Sequence, residues 1–177
     1  MSLCRAHRSC AVAHFVHSKA DVRQDWMFRI RFFTPQVIDE EGWQHAGGEL
    51  VVGDARLCFL VDLTYWGIGD YQRQWRAGIS RLVQGAPSTA LVTAYRGPGE
   101  SAHTMWALWR DDGHVYVQEH SVLPADVDER FDPNEPYAHV GARVPAAENA
   151  LPIPEWRVDL EHLHAAMLGI RWPKSLG

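Results

Sequence analysis

Ten histidines and three cysteines are the side chains of this 177-residue sequence best suited to chemistry, and their spacing decides which chemistry is open. Near the N-terminus, Cys4, His7, Cys10, His14 and His17 are zinc-type donors. A structural zinc site needs four ligands in a tetrahedron, usually two close pairs parted by a longer loop. Steps of three, three, four and three residues align the donors along a helix instead of wrapping an ion, so no metal is expected. His162 and His164 lie two apart on a predicted helix, about 200° around its axis, too far round to share a metal. His103, His114 and His120 fall on neighbouring predicted strands, with His114 and His120 on one face. Beside a carboxylate they could serve a small hydrolase, but Ser101 and Ser121 lack the Gly-x-Ser-x-Gly elbow or any other supporting motif. The plainer reading is sheet histidines with structural surroundings, and no catalytic residue is assigned. Neither Gly67-Ile-Gly69 nor Gly97-Pro-Gly99 has the lysine or the full glycine spacing of a phosphate loop, so no cofactor is expected. A third possibility is a small-molecule-binding domain with a pocket lined by Trp66, Trp106 and Trp109.

Charge offers a different lead. Lys plus Arg number 17 against 22 Asp plus Glu, a net −5. Nucleic-acid binding needs clustered cations, so it is disfavoured, whereas a basic protein partner is favoured. The run Asp126-Val-Asp-Glu-Arg-Phe-Asp-Pro-Asn-Glu135 holds five acids and one base. Asp126, Asp128, Glu129, Asp132 and Glu135, with Phe131 as apolar centre, form the candidate contact surface; charge complementarity there would speed docking and exclude wrong partners. A second candidate patch is Asp39, Glu40 and Glu41 with Trp43.

The elements that must position these groups read as one α+β domain. Strands are expected at Met27-Phe-Arg-Ile-Arg-Phe-Phe33, Glu49-Leu-Val-Val-Gly53, Arg56-Leu-Cys-Phe-Leu-Val-Asp62 and Thr89-Ala-Leu-Val-Thr-Ala-Tyr95. Residues 103–110 and 114–120 flank Asp111-Asp-Gly113, a hairpin signal, and Glu155-Trp-Arg-Val158 is a last short strand. Over residues 67–84, Ile68, Tyr71, Trp75, Ile79, Leu82 and Val83 recur at three- and four-residue spacing, which predicts the main helix, with Gly85 ending it. Asp159 is expected to cap a short C-terminal helix ended by Gly169. The sum is a mainly antiparallel sheet of five to seven strands with one main helix packed on it. The stretch between Val122 and Glu155, with six prolines and many acids, is a long connection of the kind that is usually functional or disordered. Residues 1–26 show no period and read as a non-native or disordered extension with Met27 as the start; residues 171–177 are a tail. That first segment carries four Lys/Arg against two Asp/Glu, so the rest of the chain holds −7. No apolar run approaches the ~20 residues of a membrane span. Sparse, odd-numbered cysteines and the lack of a secretory h-region indicate the cytoplasm.

From Thr64-Tyr-Trp-Gly-Ile-Gly-Asp-Tyr-Gln-Arg-Gln-Trp75 onward the sequence resembles the immunity proteins of bacterial contact-dependent growth inhibition systems. The resemblance runs in order through Leu82-Val-Gln-Gly85, Ser88-Thr-Ala-Leu-Val-Thr93, Met105-Trp-Ala-Leu-Trp109, Val115-Tyr-Val-Gln-Glu119, Phe131-Asp-Pro-Asn-Glu-Pro-Tyr137 and Glu155-Trp-Arg-Val-Asp159, about residues 27–170. Gly67 departs from it, standing where a Ser or Thr cap would be usual. The resemblance implies a non-enzymatic cytoplasmic protein that binds the C-terminal toxin domain of a secreted effector, often a basic nuclease, and neutralises it by stoichiometric occlusion. It transfers no contact residues, and oligomeric state stays open.

Overall fold

Alternation of large apolar and charged side chains in Phe-Arg-Ile-Arg-Phe makes a two-faced strand, and β1 forms there, over Phe28–Phe32. The computed structural model describes residues 28–40, 42–97, 102–123, 131–144 and 154–169; the N-terminal Cys/His series and the extension assigned to residues 1–26 lie outside them. The chain continues through β2 (Val37–Ile38), β3 (Gln44–Val52), β4 (Ala55–Asp62), α1 (Ile68–Val83), β5 (Ser88–Ala94), β6 (His103–Asp111), β7 (His114–Val122), a 3₁₀ turn (Pro136–His139), β8 (Glu155–Asp159) and α2 (Leu160–Gly169). The α+β class and the two helices are as the sequence indicates. Its strands divide between two sheets of four: β3 is flanked by β4 on one side and by β1 and β2 on the other, while β5, β6, β7 and β8 follow in order. Every pairing is antiparallel.

The first sheet contains Gly47-Gly48 in mid-strand, where glycine ordinarily weakens pairing. Here each glycine lies under an aromatic ring. Phe59, directly opposite Gly48, fills the inner side so closely that a Cβ would collide with its ring. Phe33 covers the outer side of Gly47, within 2.9 Å of where a Cβ would stand. This shielding is why β3 runs back to Gln44 instead of starting at Glu49. The β6–β7 hairpin turns at Asp112-Gly113, both at positive φ (41° and 80°), as a tight two-residue turn requires.

The inner faces of the two sheets meet in one core, and α1 closes it along the β5 edge. Trp75 is wholly buried, stacks on Phe32 of β1 at 5.0 Å and meets Phe59 of β4 edge-on at 6.1 Å. Its indole N–H donates to Val92 O in β5 at 2.6 Å, so one residue joins the helix to both sheets. Gln74 beside it takes the place of a missing strand: its amide N–H donates to Ala90 O (2.8 Å) and its carbonyl accepts from Val92 N (2.9 Å). Tyr71 continues the pattern, accepting from Tyr95 N and donating to Asp62 O. An edge strand that would invite pairing with another chain is thus capped by side chains. Gly67 precedes α1, and Asp70 compensates for the missing cap hydroxyl by accepting from Gly67 N at 2.9 Å. Gly85, at φ +108°, follows the helix end.

Candidate functional site

The outer face of the second sheet is crossed by residues 131–144, which bring part of the acidic connection into an ordered strap. Phe131 begins it. Its ring is 8% exposed and stacks on His103 at 4.4 Å, with Tyr95 and His139 also against it. It therefore anchors the strap from below and is not the exposed apolar centre that the sequence suggested. Further along, Trp109 donates its indole N–H to Gly141 O (2.9 Å) and Gln118 donates to Val144 O (3.0 Å). Arg143 fastens the end: it lies over the Tyr116 ring at 3.4 Å and forks onto both Glu155 oxygens at 2.7 and 2.8 Å. The Glu155 hydrogen bond and the nearby negative charges raise the Arg143 pKa above its ordinary value, against the opposing effect of burial.

This anchoring leaves Asp132 and Glu135 on the outside, both exposed. Asp132 accepts from the backbone N–H of Asn134 (2.8 Å) and from its side-chain amide (3.1 Å). Asp126, Asp128 and Glu129 lie outside the described residues. Next to the strap, α1, β5 and the 3₁₀ turn enclose a cleft of about 530 Å³. Arg81 covers the Tyr137 ring at 3.8 Å at this boundary.

The second candidate patch is a turn. Asp39 accepts from Trp43 N at 2.7 Å and donates its own N–H to Trp43 O at 3.0 Å, holding Trp43 57% exposed with exposed Glu40 nearby. Glu41 lies outside the described residues. Of the described members, Asp39 and Glu40 belong to the first sheet's β2–β3 turn, and Asp132 and Glu135 to the strap on the second sheet.

On the outer face of the first sheet is a cluster of opposite sign. Glu49, only 3% exposed, receives Arg29 (3.0 Å) and Arg31 (2.8 Å) from β1 and Arg56 (3.2 Å) from β4. Burial alone would raise the Glu49 pKa. The hydrogen bond from Arg31 and the charges of all three arginines outweigh it and hold the carboxyl below its ordinary value. Arginines alternating in Phe-Arg-Ile-Arg-Phe signalled half of this cluster; the pairing partner needed the register.

Among the described residues, His103, His114 and His120 do not converge, and one of them has a carboxylate partner. His114 pairs with Asp159 at 2.8 Å, at the hairpin end of β7. His120 is six residues along the same strand, about 20 Å away at strand spacing, where it lies against Trp109 and bonds Gln118. His103 faces the strap, its Nδ1 accepting from Arg96 N at 3.3 Å, which places the proton of the neutral ring on Nε2. Nor do the tryptophans line one pocket. Trp106 points into the core against Phe59 and Trp156, whereas Trp109, at odd spacing on the same strand, points out to the strap. Trp66 packs on Tyr71 and Tyr95. No group of three His, Cys, Asp or Glu among the described residues could hold a metal ion. No described helix is long and apolar enough to cross a membrane.

Burial lowers the pKa of His103, helped by the charge of Arg96 and by His139, and burial alone lowers that of His120. Unfolded imidazoles titrate near about 6.5. Both groups therefore cost nothing above that pH and destabilise the fold progressively as pH falls from about 6.5 through their lower folded values. The midpoint of urea unfolding is expected to fall between about pH 7.5 and pH 5.5, and less so in His103→Gln. An unchanged midpoint across that interval would contradict the assignment.

Comparison with known proteins bears on the same chain. The family model described as the CdiI N-terminal domain matches residues 61–166, from the end of β4 through most of α2. The chain belongs to this family. A curated CdiI relative, the immunity protein CdiI of Enterobacter cloacae subsp. cloacae, is 25% identical over 135 residues, spanning 76% of this chain and 92% of the relative. A solved structure, the CdiA-CT/CdiI toxin and immunity complex from Enterobacter cloacae, superposes with a TM-score of 0.71 at 22% identity, covering 80% of this chain and 97% of the other. That likeness establishes the CdiI fold independently of the sequence match. The expected kinship with immunity proteins of contact-dependent growth inhibition is thereby shown. The CdiI family match takes in α1, the second sheet and the strap together, so the cleft and the acidic segment beside it are parts of the matched region.

Proposed function

We propose that this CdiI-family chain is a cytoplasmic, non-enzymatic immunity protein. It binds the C-terminal toxin domain of a CdiA-type effector and neutralises it by stoichiometric occlusion. The family match over residues 61–166 carries the reading, supported by a relative that is itself an immunity protein. The toxin domain is taken to be a nuclease with a basic surface, since a surface built to meet phosphate is also met by carboxylates. Docking is assigned to Asp132 and Glu135 on the strap, with Asp126, Asp128 and Glu129 just before them in sequence. The patch of Asp39, Glu40, Glu41 and Trp43 is a second candidate contact.

The test is a binding titration with the CdiA-CT domain from the same locus, run at low and high salt. A one-to-one complex that suppresses toxin activity is expected. Reversal of Asp128 and Glu129 to lysine should slow association about tenfold at low salt and flatten its salt dependence, with dissociation little changed. Absence of a complex would overturn the immunity reading. An unchanged association rate at low salt would remove the acidic segment as the docking surface.

A further inference from the structure

The outer face of the first sheet departs from the polar surface that an antiparallel sheet ordinarily turns to water. Along β3, the side chains of that face form successive rows across the sheet. The first row is Arg29, Val51 and Arg56, and the second is Arg31, Glu49 and Cys58. In the third, Leu60 stands opposite Gly47, with the Phe33 ring laid over the glycine. The fourth is Val37, His45 and Asp62, and Asp39 adjoins it, 3.9 Å from His45 Nδ1.

Three bands result. At one end the arginines outnumber the one carboxylate they surround, Glu49, by two. The middle is apolar and open: Phe33, Val37 and Leu60 are 51%, 45% and 63% exposed, and Cys58 next to Leu60 is exposed too. The other end carries Asp39 and Asp62, with exposed Glu40 just beyond. The first and last rows are about 20 Å apart at strand spacing. Contiguous exposed apolar surface rimmed by charge marks a contact site.

The order of the bands determines what fits. A basic protein would suit the aspartate end and be repelled by the arginines, and an acidic one would meet the reverse. A partner that satisfies the whole face must carry the same bands in reverse order at the same spacing. A second copy, turned about a twofold axis lying across the strands, does so by symmetry. Arg56 then meets Asp62 of the second copy, Arg29 and Arg31 approach its Asp39, and the apolar bands close on each other.

We propose that two copies of this chain pair through this face, first sheet stacked on first sheet with the strands running in opposite directions. The strap lies on the outer face of the second sheet, so pairing leaves it free on both copies. Of the two acidic patches, the one at Asp39 and Glu40 is then the dimer's, and the strap remains for another partner. The inference stands apart from the immunity reading.

Sedimentation equilibrium of the full chain from about 1 to about 200 μM tests it. One small sheet face is at the low end of specific interfaces, so a dimer with a Kd of about 10–100 μM is expected. Leu60→Asp, at an exposed position, should keep the melting transition and raise that Kd at least about tenfold. Arg56→Asp and Asp62→Arg should each be monomeric alone, because each sets like charges against each other. Mixed, they should pair, since every reversed charge then meets its opposite. A wild-type chain that stays monomeric throughout overturns the proposal, and weaker toxin binding by Leu60→Asp would then assign the face to the toxin. A dimer that Leu60→Asp leaves within about twofold, or two folded charge variants that fail to pair on mixing, overturns it as well.

Discussion

Replacing Trp75 with alanine is expected to cost about 3–5 kcal/mol, the range for deleting a fully buried large aromatic. That is a large fraction of the roughly 5–15 kcal/mol that holds a typical domain folded. The position is worse than an average core site for two reasons. The indole ring stacks on Phe32 and abuts Phe59, so its loss opens the junction between α1 and the first sheet. Its N–H is also the donor to Val92 O, and truncation leaves that buried carbonyl unpaired on the edge of the second sheet. Trp75→Phe separates the two effects, keeping a ring in the stack while losing the donor, and should cost about 1–2 kcal/mol. Urea unfolding followed by near-ultraviolet circular dichroism reads both. A Trp75→Ala chain within about 1 kcal/mol of the wild type would refute the bridging role.

The second large effect is expected at Glu49. Its carboxylate is nearly inaccessible, while the three arginines on it keep about a third to two thirds of their side chains in water. Glu49→Ala leaves three like charges facing one another, among them Arg29, whose buried Nε already has no partner. Exposed pairs contribute about 0–1 kcal/mol each, whereas breaking a buried pair costs about 3–5 kcal/mol. With guanidiniums free to turn outward, a loss of about 2–3 kcal/mol is expected, partly restored by salt as repulsion is screened. The sign with pH follows from the lowered pKa of the carboxyl. The wild type keeps this contribution above the unfolded carboxylate value, about 4.3, and loses it as pH falls through the folded value. Glu49→Gln should show no such acid loss from this site, and denaturant midpoints between about pH 3 and pH 7 would reveal whether it does.

Local patterns made much of this fold legible. The period of α1, with Gly85 after it, marked a helix within a residue of its observed ends, and Asp112-Gly113 marked the hairpin. What escaped was set by groups distant in sequence. Gly47-Gly48 reads as a break until Phe33 and Phe59 are placed over it, and nothing local announces either ring. Gln74 looks like an ordinary polar residue on a helix, and only the β5 edge gives its amide a purpose. Phe131 sits among acids and reads as a surface residue, yet the ring of His103, 28 positions earlier, draws it inward. The candidate site was legible as charge and not as shape. Asp132 and Glu135 were visible as acids, whereas the cleft next to them depends on Thr89 and Gly78, whose packing is tertiary.

The strap divides labour between its atoms. It is held through Phe131, Arg143 and two main-chain carbonyls, those of Gly141 and Val144, while the acids it displays make only local bonds or none that fix the segment. Main-chain anchors are indifferent to side-chain identity. The displayed positions, Glu135 among them, are therefore free to change without rebuilding the scaffold beneath them.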